Sequence, residues 1–155
     1  MTCLAVTRRL LMRQLYLLTF IGLADASGAT EHCTPPTEYE PELCPLHHLA
    51  ITSVKIEHNG RKAVAAQNDP VDCSAFRLDE AKVRRFFSKG KVVAPKNEHS
   101  LDWAPCSSDG VLRLANGNVV RWEIDQSKVG WLIYGTGNTT IVYCPDCDFE
   151  PFPKD

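Results

Sequence analysis

The chain has 155 residues, of which 44% are hydrophobic, and its 17 basic and 19 acidic side chains give a formal net charge of −2. This weakly acidic balance argues against nucleic acid as the main partner, because binding to phosphates needs a basic surface. The length allows one modest hydrophobic core and excludes two domains once a leader has been removed.

Residues 1–26 have the three parts of a secretory signal peptide. An apolar part spans residues 15–23 (LYLLTFIGL), residues 24–26 form a cleavage site of the A-x-A type, and the charged part contains Arg8, Arg9 and Arg13. We expect cleavage after Ala26 or Ala29. Since the apolar part is shorter than the ~20 residues of a membrane-spanning helix, we expect an exported protein, periplasmic or secreted, without a membrane span after cleavage.

The mature chain then begins with an arm at residues 27–48, which is rich in proline and glutamate. Its prolines lack amide donors and fix φ, so we expect an extended arm without regular structure. Apolar and polar residues alternate from residue 49, Asn59-Gly60 follows, and a second run covers residues 62–66. This pattern predicts a β-hairpin that turns at Asn59-Gly60.

One helix is predicted after this hairpin. Asp79 can cap its start, Gly90 ends it, and Val83, Phe86 and Phe87 fall on one face at helical spacing. A helix of about eleven residues is marginal alone. The two phenylalanines must therefore be buried against the strands that follow.

The register of those strands can be chosen by asking which pairing brings apolar residues together. Two apolar runs flank Asn116-Gly117, and a two-residue loop would scatter the large residues over both faces. A three-residue loop, with Gly117 left-handed in a bulge, places Leu112 opposite Val120. One face then carries Leu112, Leu114, Val120, Trp122 and Ile124, and the other face carries Arg113, Arg121 and Glu123.

Two more strands are predicted at residues 129–134 and 139–144. The predicted fold class is α+β, with one short helix packed on an antiparallel β-meander of four or more strands, stabilised by disulfides. The single domain covers residues 49–150, and residues 151–155 form a tail. The alternative is a small all-β sandwich or barrel that carries one helix.

The cysteines fit an exported protein. The chain has seven, and removal of the leader takes Cys3 and leaves an even set of Cys33, Cys44, Cys73, Cys106, Cys144 and Cys147. In an oxidising compartment such a set predicts structural disulfides. Sequence alone leaves the connectivity open: one pairing is Cys33 with Cys44, Cys73 with Cys106 and Cys144 with Cys147, and a swap that joins the arm to the C-terminal pair is another.

Residues 144–147 (CPDC) have a spacing that both redox enzymes and zinc sites use. A redox site needs its first cysteine at the start of a helix, and Pro151 and Pro153 prevent a helix here. The zinc alternative needs reduced thiolates, which export disfavours, and would combine Cys44, His47, Cys144 and Cys147. We therefore predict no catalytic residues, no metal and no cofactor.

Several short motifs make the chain similar to a group of small exported proteins of Gram-negative bacteria. The similarity covers residues 78–147 and rests on Phe86-Phe87, a hairpin at Gly110, and the patterns LDWxPC at residues 101–106, WxI at 122–124 and YCxxC at 143–147. This resemblance implies a periplasmic location. It implies no activity or mechanism.

The predicted function is that of a non-catalytic binding protein, such as an inhibitor or immunity protein, with another protein as its partner. The residues expected to contact the partner are one aromatic and three basic or ionisable side chains, Trp103, His99, Arg84 and Arg85. The alternative is a thiol-redox or zinc-binding protein that uses Cys144 and Cys147.

Overall fold

The computed structural model describes residues 32–154. The predicted leader and Cys3 lie outside the described residues. Seven strands form the sheet: β1 (Leu43–Pro45), β2 (Ile51–Lys62), β3 (Lys91–Val93), β4 (Cys106–Leu114), β5 (Val119–Asp125), β6 (Val129–Tyr134) and β7 (Thr139–Tyr143). They pair antiparallel in the order β1-β3-β7-β6-β5-β4-β2. No helix in this part of the chain is long and apolar enough to cross a bilayer.

Helix α1 (Glu80–Lys89) begins and ends as the sequence predicts. The Asp79 side chain accepts a hydrogen bond from the Lys82 amide at 2.9 Å, and the Gly90 amide donates to the Phe86 carbonyl at 2.8 Å. These bonds satisfy polar groups that the ends of a helix leave free. Two 3-10 segments, Val64–Ala66 and Pro95–Ser100, lie before and after α1.

The meander β4-β5-β6-β7 has the predicted register, with Leu112 opposite Val120 and with Gly117 at a φ of 84°. Its apolar residues therefore share one face of the sheet, which we call the packed face. It carries Leu112, Val120, Trp122, Ile124, Leu132 and Val142, all of them at most 1% exposed. Helix α1 covers this face with Val83, Phe86 and Phe87, as predicted.

The helix can approach the sheet closely because two positions lack a side chain. A Cβ atom at Gly130 would lie 2.8 Å from Cε1 of Phe86, and one at Gly90 would lie 2.3 Å from Cγ1 of Val142. Both distances are far shorter than an ordinary carbon contact. The missing side chain of Gly130 in β6 therefore leaves the space that the Phe86 ring occupies.

The sheet is larger than the predicted meander. The structure has one helix on a single, sheet-dominated layer of seven antiparallel strands, so it agrees in part with each predicted fold class. The expectation that the arm lacks regular structure is wrong for Leu43–Pro45, which pairs with β3 at the edge of the sheet. The domain also extends past residue 150, because Phe152 is buried against Phe76 and Phe86.

The predicted hairpin at Asn59-Gly60 is wrong. Strand β2 continues through this pair, and its register with β4 shifts between Ile56 and His58 and again across the pair, between His58 and Arg61. Gly60 has a φ of 63° and no room for a side chain, since a Cβ would lie 2.3 Å from the Cys73 carbonyl. The Asn59 amide group bonds both the N–H and the C=O of Leu78, at 2.9 and 3.1 Å. Asn59-Gly60, a pair that is typical of tight turns, thus forms a β-bulge inside β2.

Three disulfides join Cys33 to Cys44, Cys73 to Cys106 and Cys144 to Cys147. The first attaches the arm to β1, and the second ties the segment before α1 to the start of β4. The third closes a turn directly after β7. Each bridge therefore fixes a segment that has little regular structure of its own to an edge or end of the sheet.

Replacing Gly130 by alanine tests the close packing of Phe86 against β6. We expect Gly130→Ala to lower the free energy of unfolding by about 1–3 kcal/mol, because the added methyl group overpacks a filled core. The measurement is urea unfolding with the disulfides intact. Gly135→Ala is the matched control, since its Cβ would meet nothing within 4 Å. Equal stability of the two variants would contradict the close packing of Phe86 on β6.

Candidate functional site

The face of the sheet opposite α1, which we call the open face, carries polar and apolar side chains side by side. Side chains alternate between the two faces along each strand, so the residues between those of the packed face point to the open face. The open face therefore carries Asp109, Arg121, Glu123, Trp131 and Ile133, which lie opposite one another on neighbouring strands. Ile133 is 37% exposed, and Val119 on the same face is 48% exposed. This face therefore leaves some apolar surface exposed among charged side chains.

An ion-pair network crosses the open face from β2 to β5. Its centre is Asp109, whose side chain is only 6% exposed. Its Oδ1 lies 2.9 Å from Nδ1 of His58, and its Oδ2 lies 3.2 Å from Nε of Arg61. The contact at Oδ2 is an ion pair without hydrogen-bond alignment. Nη2 of Arg61 continues to Oε1 of Glu123 at 2.9 Å.

The bulge in β2 builds this network. His58 and Arg61 are three residues apart and would point to opposite faces of a regular strand. The register shifts around Asn59-Gly60 place both on the open face, opposite Asp109 and Ser107. The hydrogen bond to Glu123 raises the pKa of Arg61, and the charges of Glu123 and Asp109 act in the same direction against the effect of burial. The guanidinium group is therefore held charged.

His58 and Asp109 have the geometry in which a carboxylate orients a histidine as a general base. Such a base acts in catalysis when it activates a nucleophile or a water molecule. Within residues 32–154, no serine or cysteine side chain hydrogen-bonds to the His58 ring. The contact with Asp109 thus orients the partly exposed His58 ring on the open face.

A groove of about 750 Å³ lies next to the network. One side of the groove is formed by the indole of Trp131, which is partly buried. The indole Nε1 donates a hydrogen bond to Oε1 of Glu98 at 2.9 Å. Glu123 lies directly opposite Trp131 on the neighbouring strand. The lining is completed by Pro95, Ile133, Gly137, Asn138, Thr139 and Ile141.

A second, smaller apolar cluster fixes this wall. It consists of the buried residues Leu43, Val93, Val129 and Ile141, with Leu101 and Trp131 packed against it. Leu101 directly follows the 3-10 segment Pro95–Ser100, which contains Glu98. Packing of the partly buried Leu101 against this cluster therefore holds Glu98 above the sheet, where its carboxylate accepts the hydrogen bond from the indole N–H.

The four residues predicted to contact a partner do not converge on one surface. Arg84 and Arg85 lie on α1, over the packed face, whereas His99 lies in the 3-10 segment beside the groove. Arg84 donates to the carbonyls of Ile51 and Thr52 at 2.6 and 3.3 Å. It thus covers polar backbone groups at the edge of the sheet.

Arg85 and Trp103 differ in how much of their side chains is left available for contact. The Arg85 guanidinium lies over the Phe149 ring, 4.5 Å from its centroid. Trp103 lies in the loop before β4 and is 59% exposed.

The cysteines of the alternative zinc site belong to two separate disulfides. Cys44 is bonded to Cys33, and Cys144 is bonded to Cys147. Cys44 is separated from β7 by β3, which places the two halves about 10 Å apart at the spacing of neighbouring strands. Cys144 and Cys147 are fully buried, whereas a catalytic disulfide exposes a sulfur to an attacking thiolate.

Among the described residues, the ligand atoms of Cys33, Glu42 and Cys44 lie within 4.8 Å of one another. The two sulfurs of this group form a disulfide, so they are not thiolate ligands.

Sequence reasoning places Arg121 and Glu123 on the open face but misses the residues that contact Glu123 from distant segments. Those that the geometry brings together are Glu98, Trp131, His58, Arg61, Asp109 and Glu123. Glu123 was placed on the polar face of the hairpin correctly, but its partners come from distant segments. The one available signal was Asn59-Gly60, which can mark a bulge as well as a turn.

The chain matches no family model, no curated protein and no solved structure. The geometry of the open face is therefore the basis for a functional proposal.

A buried carboxylate at the end of β5 holds the loops beside this face. Asp125 is 3% exposed, and its Oδ1 accepts hydrogen bonds from the amides of Ser127 and Val129 at 2.9 and 3.1 Å and from the Ser127 hydroxyl at 2.7 Å. A further bond comes from the Ala104 amide. Burial raises the pKa of Asp125 to about 6, and these hydrogen bonds only partly oppose it.

Asp125 predicts a pH-dependent stability. The folded protein holds this proton more tightly than the unfolded chain, so the contribution of Asp125 to stability is present below pH ~4 and is lost as the pH rises to about 6. We expect a loss of about 3 kcal/mol over this interval, relative to Asp125→Asn at each pH. Urea unfolding at a series of pH values measures it.

Asp146→Asn, which makes the same substitution at an exposed residue, serves as the control. If the difference between wild type and Asp125→Asn instead increased with pH, the hydrogen bonds would outweigh burial and this account of Asp125 would be wrong.

Proposed function

We propose that this protein is exported and works without catalysis, by binding another protein through the open face of its sheet. The observation that carries the proposal is the exposure of Ile133 and Val119 among fixed charges on the face opposite α1. Mixed apolar and charged surface around a partly buried aromatic residue is typical of protein interfaces.

Export is supported by the predicted leader and by the cysteines. Three disulfides in a domain of this size are compatible with an oxidising compartment. The resemblance to small exported proteins of Gram-negative bacteria makes the periplasm the proposed compartment.

Rigidity supports the role of an inhibitor or immunity protein. The open face is built on paired strands of the sheet, and ion pairs join its charged residues His58, Asp109, Arg61 and Glu123. A preorganised surface loses little conformational entropy when it binds. Such a surface suits the occlusion of an enzyme, which is the activity we propose.

Substitution of Ile133 tests the face. The exported protein, immobilised with its disulfides intact, is used to capture proteins from an extract of its own compartment. We expect Ile133→Lys to reduce capture of the main partner about tenfold or more, because a charge replaces apolar contact at an exposed position of the face. Val64→Lys is the matched control, since Val64 is 88% exposed and lies in another segment.

The same experiment compares the open face with the surface predicted from sequence. Trp103→Ala and Arg85→Ala should leave capture within about twofold of the wild type, a change too small for a hot spot. Loss of capture in these two variants, with Ile133→Lys unaffected, would contradict the proposed face. Absence of any specific partner would contradict the proposed function.

A further inference from the structure

The groove beside Trp131 has a composition that selects for one kind of ligand. We infer that it binds a lysine or arginine side chain of the partner protein, with the cation against the indole and between the carboxylates of Glu98 and Glu123. This inference rests on the proposed function and names the chemistry of the partner.

The charge of the groove is the first argument. Its lining contains two ionisable side chains, Glu98 and Glu123, and both are acids. They flank the same indole: Glu98 accepts from Nε1 of Trp131, and Glu123 lies opposite Trp131 across the strands. A cation placed there meets opposite charge from two directions.

The indole is the second argument. The face of an aromatic ring carries partial negative charge and attracts ammonium and guanidinium groups, and tryptophan does so best. The bond from Nε1 to Glu98 and the packing against the cluster around Ile141 fix the orientation of this ring. Trp131 and Glu98 therefore lose little conformational freedom when the ligand binds, so the site is preformed.

The apolar part of the groove is the third argument, and it separates a side chain from a simple ion. Ile133 and Ile141 line the same groove as the carboxylates. Lysine and arginine have methylene stems that lie along apolar surface while the charged end stays in a polar environment. An inorganic cation has no such stem, and a neutral sugar has no charge.

Glu123 already takes part in one ion pair within the chain. Arg61 reaches Oε1 of Glu123 at 2.9 Å from the side of the ion-pair network. A cation bound in the groove would therefore share this carboxylate with Arg61. The groove lies on the Trp131 side of the same carboxylate.

The test is a titration of the ¹⁵N-labelled protein, observed at the indole N–H signal of Trp131, which Trp131→Phe identifies. The probes are acetyl-Ala-Arg-Ala-amide, its lysine analogue, and a citrulline analogue that has the shape of arginine without its charge. We expect a saturable shift with the first two probes and at least about tenfold weaker binding of the citrulline peptide.

Isosteric variants test the two carboxylates. Glu98→Gln keeps an acceptor for the indole N–H, and Glu123→Gln keeps the size of the side chain. Each should weaken binding of the arginine peptide about threefold, the range expected for an exposed ion pair. Glu38→Gln, an exposed residue of the arm, is the control and should bind as the wild type does.

Other outcomes would overturn the inference. Equal binding of the citrulline peptide would show that charge is not recognised, and equal binding of a free diamine would show that a small amine is the ligand. Partner capture that depends on Ile133 but is unchanged in Glu98→Gln/Glu123→Gln would reject this inference and leave the proposed function standing. Loss of capture in the double variant supports both.

Discussion

The contact between Phe86 and the backbone of β6 determines how this molecule is organised. Helix α1 is short, so its stability depends on the apolar face that it buries. Gly130 lets the ring of Phe86 lie directly on the sheet, and Trp122 and Leu132 fill the space around it. Because the helix and the C-terminal Phe152 crowd onto this one face, polar side chains and exposed apolar ones such as Ile133 lie on the other face of the sheet.

The bulge in β2 converts that second face into a specific surface. Gly60 takes a left-handed conformation against the Cys73 carbonyl, and Asn59 binds the backbone of Leu78. These contacts put His58 and Arg61 on the same side, so both reach Asp109. The disulfide between Cys73 and Cys106 fixes the segment against which the bulge is folded. Packing on one face thereby sets the charges on the other.

Local chemistry explains which features the sequence predicts well. The limits of α1 follow from a capping aspartate and a terminal glycine, and the register of β4 and β5 follows from the need to gather apolar residues on one face. The candidate site depends on distant partners instead. Glu98 meets Trp131 and His58 meets Asp109 only after the sheet has formed, and the same Asn-Gly pair serves a turn or a bulge according to what packs against it.

The central claim is that the packed face of the sheet is sealed, whereas the open face leaves Trp131 partly accessible, and tryptophan fluorescence tests it without disturbing the core. Trp103→Phe keeps Trp122 and Trp131, and Trp103→Phe/Trp131→Phe keeps Trp122 alone. The account predicts that acrylamide hardly quenches the emission of Trp122, which is 1% exposed, and quenches the part contributed by the partly buried Trp131 more strongly. Ready quenching of Trp122 in the folded double variant would contradict the account.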